Sequence, residues 1–367
     1  MDVPFLDLKA QFPQIREEIE HRFKRTIDNT AFVCGREVKE FEERFSELHD
    51  VKYTVGLSSG TDANHLALLC CGIREKDEVL VPAFTFIATA EGISHSGAKP
   101  VFVDVDEKTF NIDVNQIEDN ITSKTKAINP VHLFGQPADM RRIQKLAEKY
   151  DILVIEDSAQ AHCAEHRGIR VGCMGKAAAW SFYPGKNLGA WGEAGALTTD
   201  DEDIYHKALK LRDHGSEKKY YHDFIGYNYR MSEFQAAVLN VKMKYIEEWT
   251  EKRRLNAYRY NQRLKGIDKI IIPSALDGVS HVYHLYVIRV QERDKLQEYL
   301  KDQGIGTGLH YPFPLHLTEA YSYLGYKKGD FPKAEKVAQE VLSLPMYAEL
   351  TEGQIDYVCE KIKEFYK

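Results

Sequence analysis

Between Val51 and Thr199 the chain alternates repeatedly between short apolar runs and helical patterns. "YTVGL" precedes the helix-like "TDANHLALLCCGI", and "EVLVP", "PVFVDVD" and "KAINPVHLFG" follow. Then come the helix "DMRRIQKLAEKY" and the runs "ILVIEDSAQ", "AAAWSFYP" and "GALTTD". Short runs rich in Val and Ile, separated by helices, predict βαβ units and a buried, mostly parallel sheet of about seven strands. This is the α/β class.

After Ser232 the texture changes. The stretch from Glu233 to Gly266 reads as one long amphipathic helix. Beyond it, "VYHLYVIRV" alternates as a strand, and "RDKLQEYLKDQG", "FPKAEKVAQEVLSL" and "TEGQIDYVCEKIKEFYK" read as helices. The expected organisation is a large α/β domain over 1–235, then a connecting helix and a small C-terminal α+β domain over 236–367. A chain of 367 residues has room for both.

Charge narrows the function. Lys and Arg number 49 against 56 Asp and Glu, a formal net charge of -7. Nucleic acid as main partner wants a basic surface, so it is not expected. No apolar run approaches the ~20 residues of a membrane span, and the amino terminus shows no secretory pattern. The six cysteines are scattered with no CxxC pair. A cytoplasmic protein without a disulfide framework is expected.

In open α/β sheets, ligands bind beyond the carboxyl ends of the strands, and four motifs fall there. "SSGTDAN" leaves the first strand and enters a helix, whose free N–H groups suit a phosphate, with Gly60 letting backbone approach the anion. The same residues also make an ordinary helix cap. "PAFTFIAT" places Phe84 or Phe86 to stack on a flat ring, although core burial is the commoner fate of such residues. "IEDSAQAH" puts Asp157 at a strand end with Gln160 three residues on. Asp157 there pairs with a protonated ring nitrogen or caps the next helix. His162 and His166 stand at i, i+4 without an HExxH pattern, and no metal is expected. Finally, "SFYPGKNLGAWGEAGA" sets Ser181 at a strand end and Lys186 among glycines and aromatics. A lysine desolvated in that way becomes a neutral nucleophile able to form a Schiff base, whereas most lysines are solvated.

The order of the four motifs is more specific than any one of them. A phosphate cup, an aromatic, a carboxylate with its Gln, then Ser and Lys form the layout of a pyridoxal phosphate (PLP) enzyme. Together with "PFLDLKAQ", "GYNYRMSEFQAAVL", "HYPFPLH" and "LSLPMY", these motifs resemble the DegT/DnrJ/EryC1/StrS sugar aminotransferases over nearly the whole chain. That family has the fold type I architecture of PLP-dependent transferases.

The resemblance implies a role for each matching residue. Lys186 is the Schiff-base lysine, Asp157 binds the pyridine nitrogen, and Gln160 meets the ring hydroxyl. Gly60, Thr61, Asp62 and Ser181 hold the phosphate, and Phe86 stacks on the ring. Asn228 reaches the phosphate from the other subunit, which implies a homodimer with shared sites. Tyr183, Arg230, His310 and Tyr311 lie near the sugar.

The implied reaction moves an amino group from L-glutamate to a nucleotide-linked keto-sugar, at C3 of a dTDP-3-keto-6-deoxyhexose, in deoxyamino-sugar biosynthesis. A UDP-2-acetamido-3-keto uronic acid or a 4-keto sugar is the alternative substrate. Sugar dehydratases of the family carry His where this chain has Lys186, and a non-enzymatic regulator is expected to lose the lysine or the carboxylate. This chain keeps both.

Overall fold

In a computed structural model, residues 1–218 and 220–367 are described. Seven strands build the main sheet: Tyr53–Leu57 (β1), Glu78–Pro82 (β2), Lys99–Val103 (β3), Thr125–Ile128 (β4), Leu153–Asp157 (β5), Ala177–Ser181 (β6) and Gly195–Thr199 (β7). Across the sheet they run β1-β7-β6-β5-β4-β2-β3. Only β7 opposes its neighbours; every other adjacent pair is parallel. The strand interiors are buried, as continuous apolar runs covered on both faces require.

One edge of this sheet gathers the strand ends that matter. Leu57 of β1 and Ser181 of β6 both pair with Gly195 of β7. A side chain at residue 195 would bring a Cβ to 2.1 Å from the Ser59 carbonyl oxygen, so only glycine fits between the two strand ends. Beneath them, Phe45 meets Trp180 and Phe182 edge-on at 5.2 and 5.3 Å between ring centroids. All three rings are fully buried. Burial of rings this size contributes about 1.5–3 kcal/mol each, and it fixes β6 and the loop that leaves it.

The stretch expected to be one helix from Glu233 to Gly266 is two, Glu233–Lys242 and Ile246–Leu264. The first packs on the helices Phe12–Asp28 and Arg36–His49; the second packs on Glu352–Phe365. Between them the chain turns through bonds from the N–H of Lys244 to the Val241 carbonyl and from that of Tyr245 to the Lys242 carbonyl. No glycine or proline marks the turn, so the hydrophobic pattern runs through it.

The C-terminal region holds an antiparallel sheet of Ile270–Ile271 (β8), Tyr286–Val290 (β9) and Val341–Leu344 (β10). Here "FPKAEKVAQEVLSL", read above as a helix throughout, is a helix only over Pro332–Glu340 and becomes β10. A short apolar run fits either element, and pairing with β9 decides it. The amino terminus joins this region: Val3 is buried in its core and bridges to Ile305. Among the described residues no helix is long and apolar enough to cross a membrane.

Candidate active site

A cavity of about 520 Å³ opens at the carboxyl ends of β1, β5 and β6. Gly60, Thr61, Phe86, Asp157, Gln160, Ser181, Tyr183, Lys186, His310 and Tyr311 all line it. Asp62, Asn228 and Arg230, which the resemblance also places at the site, do not.

The helix Gly60–Cys70 begins at the cavity wall. Ser59 caps it, its hydroxyl accepting from the Asp62 N–H at 3.1 Å. The N–H groups of Gly60 and Thr61 precede the first intrahelical bond and remain available for an anion. A Cβ on residue 60 would come within 2.5 Å of the Ser181 Cβ, so the cradle closes if Gly60 gains a side chain. The Asp62 carboxylate points to other work and accepts from the Ser58 hydroxyl at 2.6 Å. Its negative charge beside an anion would repel it, and its N–H is already taken by the Ser59 hydroxyl, so Gly60 and Thr61 are left for that role.

At the floor, Asp157 is the last residue of β5 and is buried. Its Oδ2 accepts from the Thr89 hydroxyl at 2.7 Å and its Oδ1 from the Ala159 N–H at 3.1 Å. These bonds hold the carboxylate in one orientation. Gln160 accepts from the Phe134 N–H at 2.7 Å and donates from Nε2 to the Tyr311 hydroxyl at 3.1 Å. Phe86 caps the next helix, half-exposed, with its ring 5.7 Å from that of Tyr311. Phe84, the other aromatic considered, is fully buried in the core.

Lys186 follows Ser181 in a tight turn, its N–H donating to the Tyr183 carbonyl at 2.8 Å. Its amine makes no hydrogen bond or ion pair among the described residues. Burial pushes its pKa down to about 8, while the Asp157 charge pulls the other way. The neutral fraction of the amine is therefore far larger than for a solvated lysine and reaches about half near pH 8.

Asn228 and Arg230 sit outside the cavity. The Arg230 guanidinium donates to Asn228 Oδ1 at 3.0 Å and pairs with Asp213 at 3.1 Å. Their segment docks on the end of β1 through its backbone, with the Ser58 N–H donating to the Tyr229 carbonyl at 2.9 Å.

Several lining residues escaped the reading of the sequence. Phe5 and Leu6 reach the cavity from the amino terminus, and His284 and Glu193 also line it. Burial, reinforced by the Lys186 charge, drives His284 well below the usual histidine range, so it is neutral. Thr89 carried one signal, its place at the start of a helix following a strand end. His284 carried none and Phe5 only its place in "PFLDLKAQ", because both arrive from remote parts of the chain.

These residues fit PLP. An open helix start lies at one end for the phosphate and a fixed carboxylate at the floor for a ring nitrogen. A buried, unpaired amine and aromatic walls complete the set.

Known proteins carry the same architecture. The model of the DegT/DnrJ/EryC1/StrS aminotransferase family matches residues 13–363. A pleiotropic regulatory protein of Geobacillus stearothermophilus is 48% identical over 100% of this chain and 99% of its own length. The dTDP-3-amino-3,6-dideoxy-alpha-D-galactopyranose transaminase of Aneurinibacillus thermoaerophilus is 42% identical over 99% of each chain. The crystal structure of DesV from S. venezuelae, solved in complex with a ketimine intermediate, superposes with a TM-score of 0.98 at 40% identity. It covers 100% of this chain and 99% of that one.

Proposed function

Because the chain belongs to the DegT/DnrJ/EryC1/StrS aminotransferase family, we propose that it transfers an amino group from L-glutamate to C3 of a dTDP-3-keto-6-deoxyhexose. The observation that carries the reading is the Lys186 amine, buried, without a hydrogen-bond partner among the described residues, in one cavity with the fixed Asp157 carboxylate. The identity and span of the dTDP-sugar transaminase relative favour a C3 keto-sugar.

PLP supplies an electron sink that lets a proton leave the carbon bearing the amino group. The rest falls to the chain. Gly60 and Thr61 bind the phosphate through backbone N–H groups, with the Ser181 hydroxyl beside them. Asp157 holds a proton on the ring nitrogen, and Thr89 keeps its carboxylate aimed. Phe86, 5.7 Å from Tyr311, would cover the ring and exclude water. Lys186 Nζ takes the proton from the α-carbon of the donor and later delivers one to the sugar carbon that gains the amine. Tyr183 and His310 meet the sugar.

The cavity supports a shared site. Among the described residues Lys186 is its only lysine or arginine, against Asp157 and Glu193. A cofactor phosphate, a nucleotide diphosphate and the two carboxylates of glutamate need more positive charge than that. Arg230 of a second copy would supply a cation and Asn228 a neutral amide donor, so the working unit is a homodimer.

The regulatory name of the 48% identical relative raises a second reading, control without catalysis. The buried amine favours catalysis, since binding alone has no use for a desolvated lysine. Incubating the purified protein with PLP, L-glutamate and a panel of dTDP- and UDP-linked 3-keto and 4-keto sugars tests both. Amination of the dTDP-3-keto sugar is expected. Amination of only 4-keto or only UDP-uronate substrates would reassign the sugar, and no amination with any would leave the regulatory reading.

A further inference from the structure

His310 lines the cavity beside Lys186, and the structure constrains its ring more than its exposed neighbours. Phe5 stacks on it at 5.6 Å between centroids with the planes 19° apart. Gly308 lies against its edge, where a Cβ would approach Cε1 to 2.6 Å. Nδ1 lies 2.9 Å from the hydroxyl of Ser343, in the middle of β10. The imidazole is held on one face, at its edge and at one nitrogen, while Nε2 has no partner among the described residues.

The proton on this ring follows from the hydroxyl. Ser343 is fully buried, and its backbone is spent on Gly308: its N–H donates to the Gly308 carbonyl at 2.9 Å and its carbonyl accepts from the Gly308 N–H at 3.1 Å. Among the described residues the hydroxyl has one partner, His310 Nδ1. If Nδ1 carried the proton and donated it, the hydroxyl proton would be left buried with no acceptor, the costly arrangement. If the hydroxyl donates to Nδ1, the buried hydroxyl and Nδ1 are both satisfied and the ring proton sits on Nε2.

We propose that Ser343 is a positioning residue that fixes His310 as the Nε2–H tautomer, so that His310 offers the sugar a hydrogen-bond donor and not a base. Burial and the Lys186 charge lower the pKa of His310 to about 4, so the ring is neutral at neutral pH and the tautomer matters. A neutral donor suits an acceptor oxygen of the substrate, the ketone or a hydroxyl next to it. Proton transfer is left to Lys186. The sugar-facing half of this inference rests on the function proposed above; the tautomer does not.

Histidine side-chain 15N–1H correlation spectra of the protein carrying its cofactor, near neutral pH, read the tautomer directly. The His310 signals are assigned by their loss in His310→Gln. A protonated Nε2 and an unprotonated, hydrogen-bonded Nδ1 are expected. Ser343→Ala removes only a hydroxyl and should mix the two tautomers. It should also lower kcat/KM for the keto-sugar about tenfold, the effect of one hydrogen bond. Ser343→Thr, which keeps the hydroxyl, should restore both. A wild-type ring protonated at Nδ1 overturns the proposal. The expected tautomer with sugar turnover unmoved in Ser343→Ala overturns the sugar-facing role and points to a different sugar subsite.

Discussion

At the cavity floor, Asp157 and Lys186 are buried groups that this chain alone brings together. The first is held by Thr89 and Ala159, the second stripped of water and left unpaired. In the segment from Phe224 to Met231, Asn228 is exposed and Arg230 is occupied by Asp213 and Asn228, away from the same chain's cavity. The contrast is physical. A group whose pKa must shift has to be desolvated, so it grows from strand ends inside a rigid sheet. A group that greets a charged substrate must stay solvated and mobile until the ligand arrives, so it sits on the surface. The first region should fail in isolation, and the second should be replaceable by another copy.

The largest effect should come from Lys186→Ala. Loss of a general acid–base group typically costs about 10²–10⁴-fold in rate, and this variant also loses the covalent hold on the cofactor. Turnover below that range is expected, read from product formation with the keto-sugar and L-glutamate. In the wild-type protein stripped of cofactor, the rate of PLP capture should rise with pH and level off above about 8, as the amine loses its proton. Turnover within tenfold of wild type in Lys186→Ala would move the chemistry to another group.

Asp157→Asn keeps the shape and removes the charge. PLP should still bind, seen as a visible absorbance band, while turnover falls about 10²–10³-fold, the range for losing one electrostatic stabiliser. Near wild-type turnover would mean that the carboxylate only caps structure.

The smallest signal separates the two regions most cleanly. A Lys186→Ala chain is mixed with a chain carrying Asn228→Ala and Arg230→Ala, each inactive alone. In a mixed homodimer one site then carries both defects and the other neither. With random exchange, activity should return to about a quarter of wild type, because half of the dimers are mixed and each has one intact site. No recovery, with exchange confirmed by mass spectrometry, would assign the surface segment to its own chain's cavity.

The same contrast governs what the sequence makes legible. The strands of the main sheet stand out because apolar runs end at Pro or at polar residues such as Ser, Asp and Asn. Asp157, Ser181 and Lys186 follow directly from those ends. The turn at Met243–Tyr245 is invisible, since both flanking helices keep one apolar period and differ only in what they pack on. Val341–Leu344 reads as the end of a helix until β9 pairs with it. Phe5, His284 and Ser343 reach the site by tertiary packing across most of the chain; the motifs "PFLDLKAQ" and "LSLPMY" contain Phe5 and Ser343, but nothing local shows where they go. Asp62 shows the converse: the motif names it, but its side chain turns to Ser58.

One buried amine, Lys186, is proposed to hold the cofactor. Reducing the PLP-loaded protein with borohydride, digesting it and sequencing the modified peptide by mass spectrometry tests it directly. The label is expected on Lys186, within the stretch Ser181 to Ala196. A label on any other lysine, or none on a protein that shows the cofactor's absorbance, would contradict it.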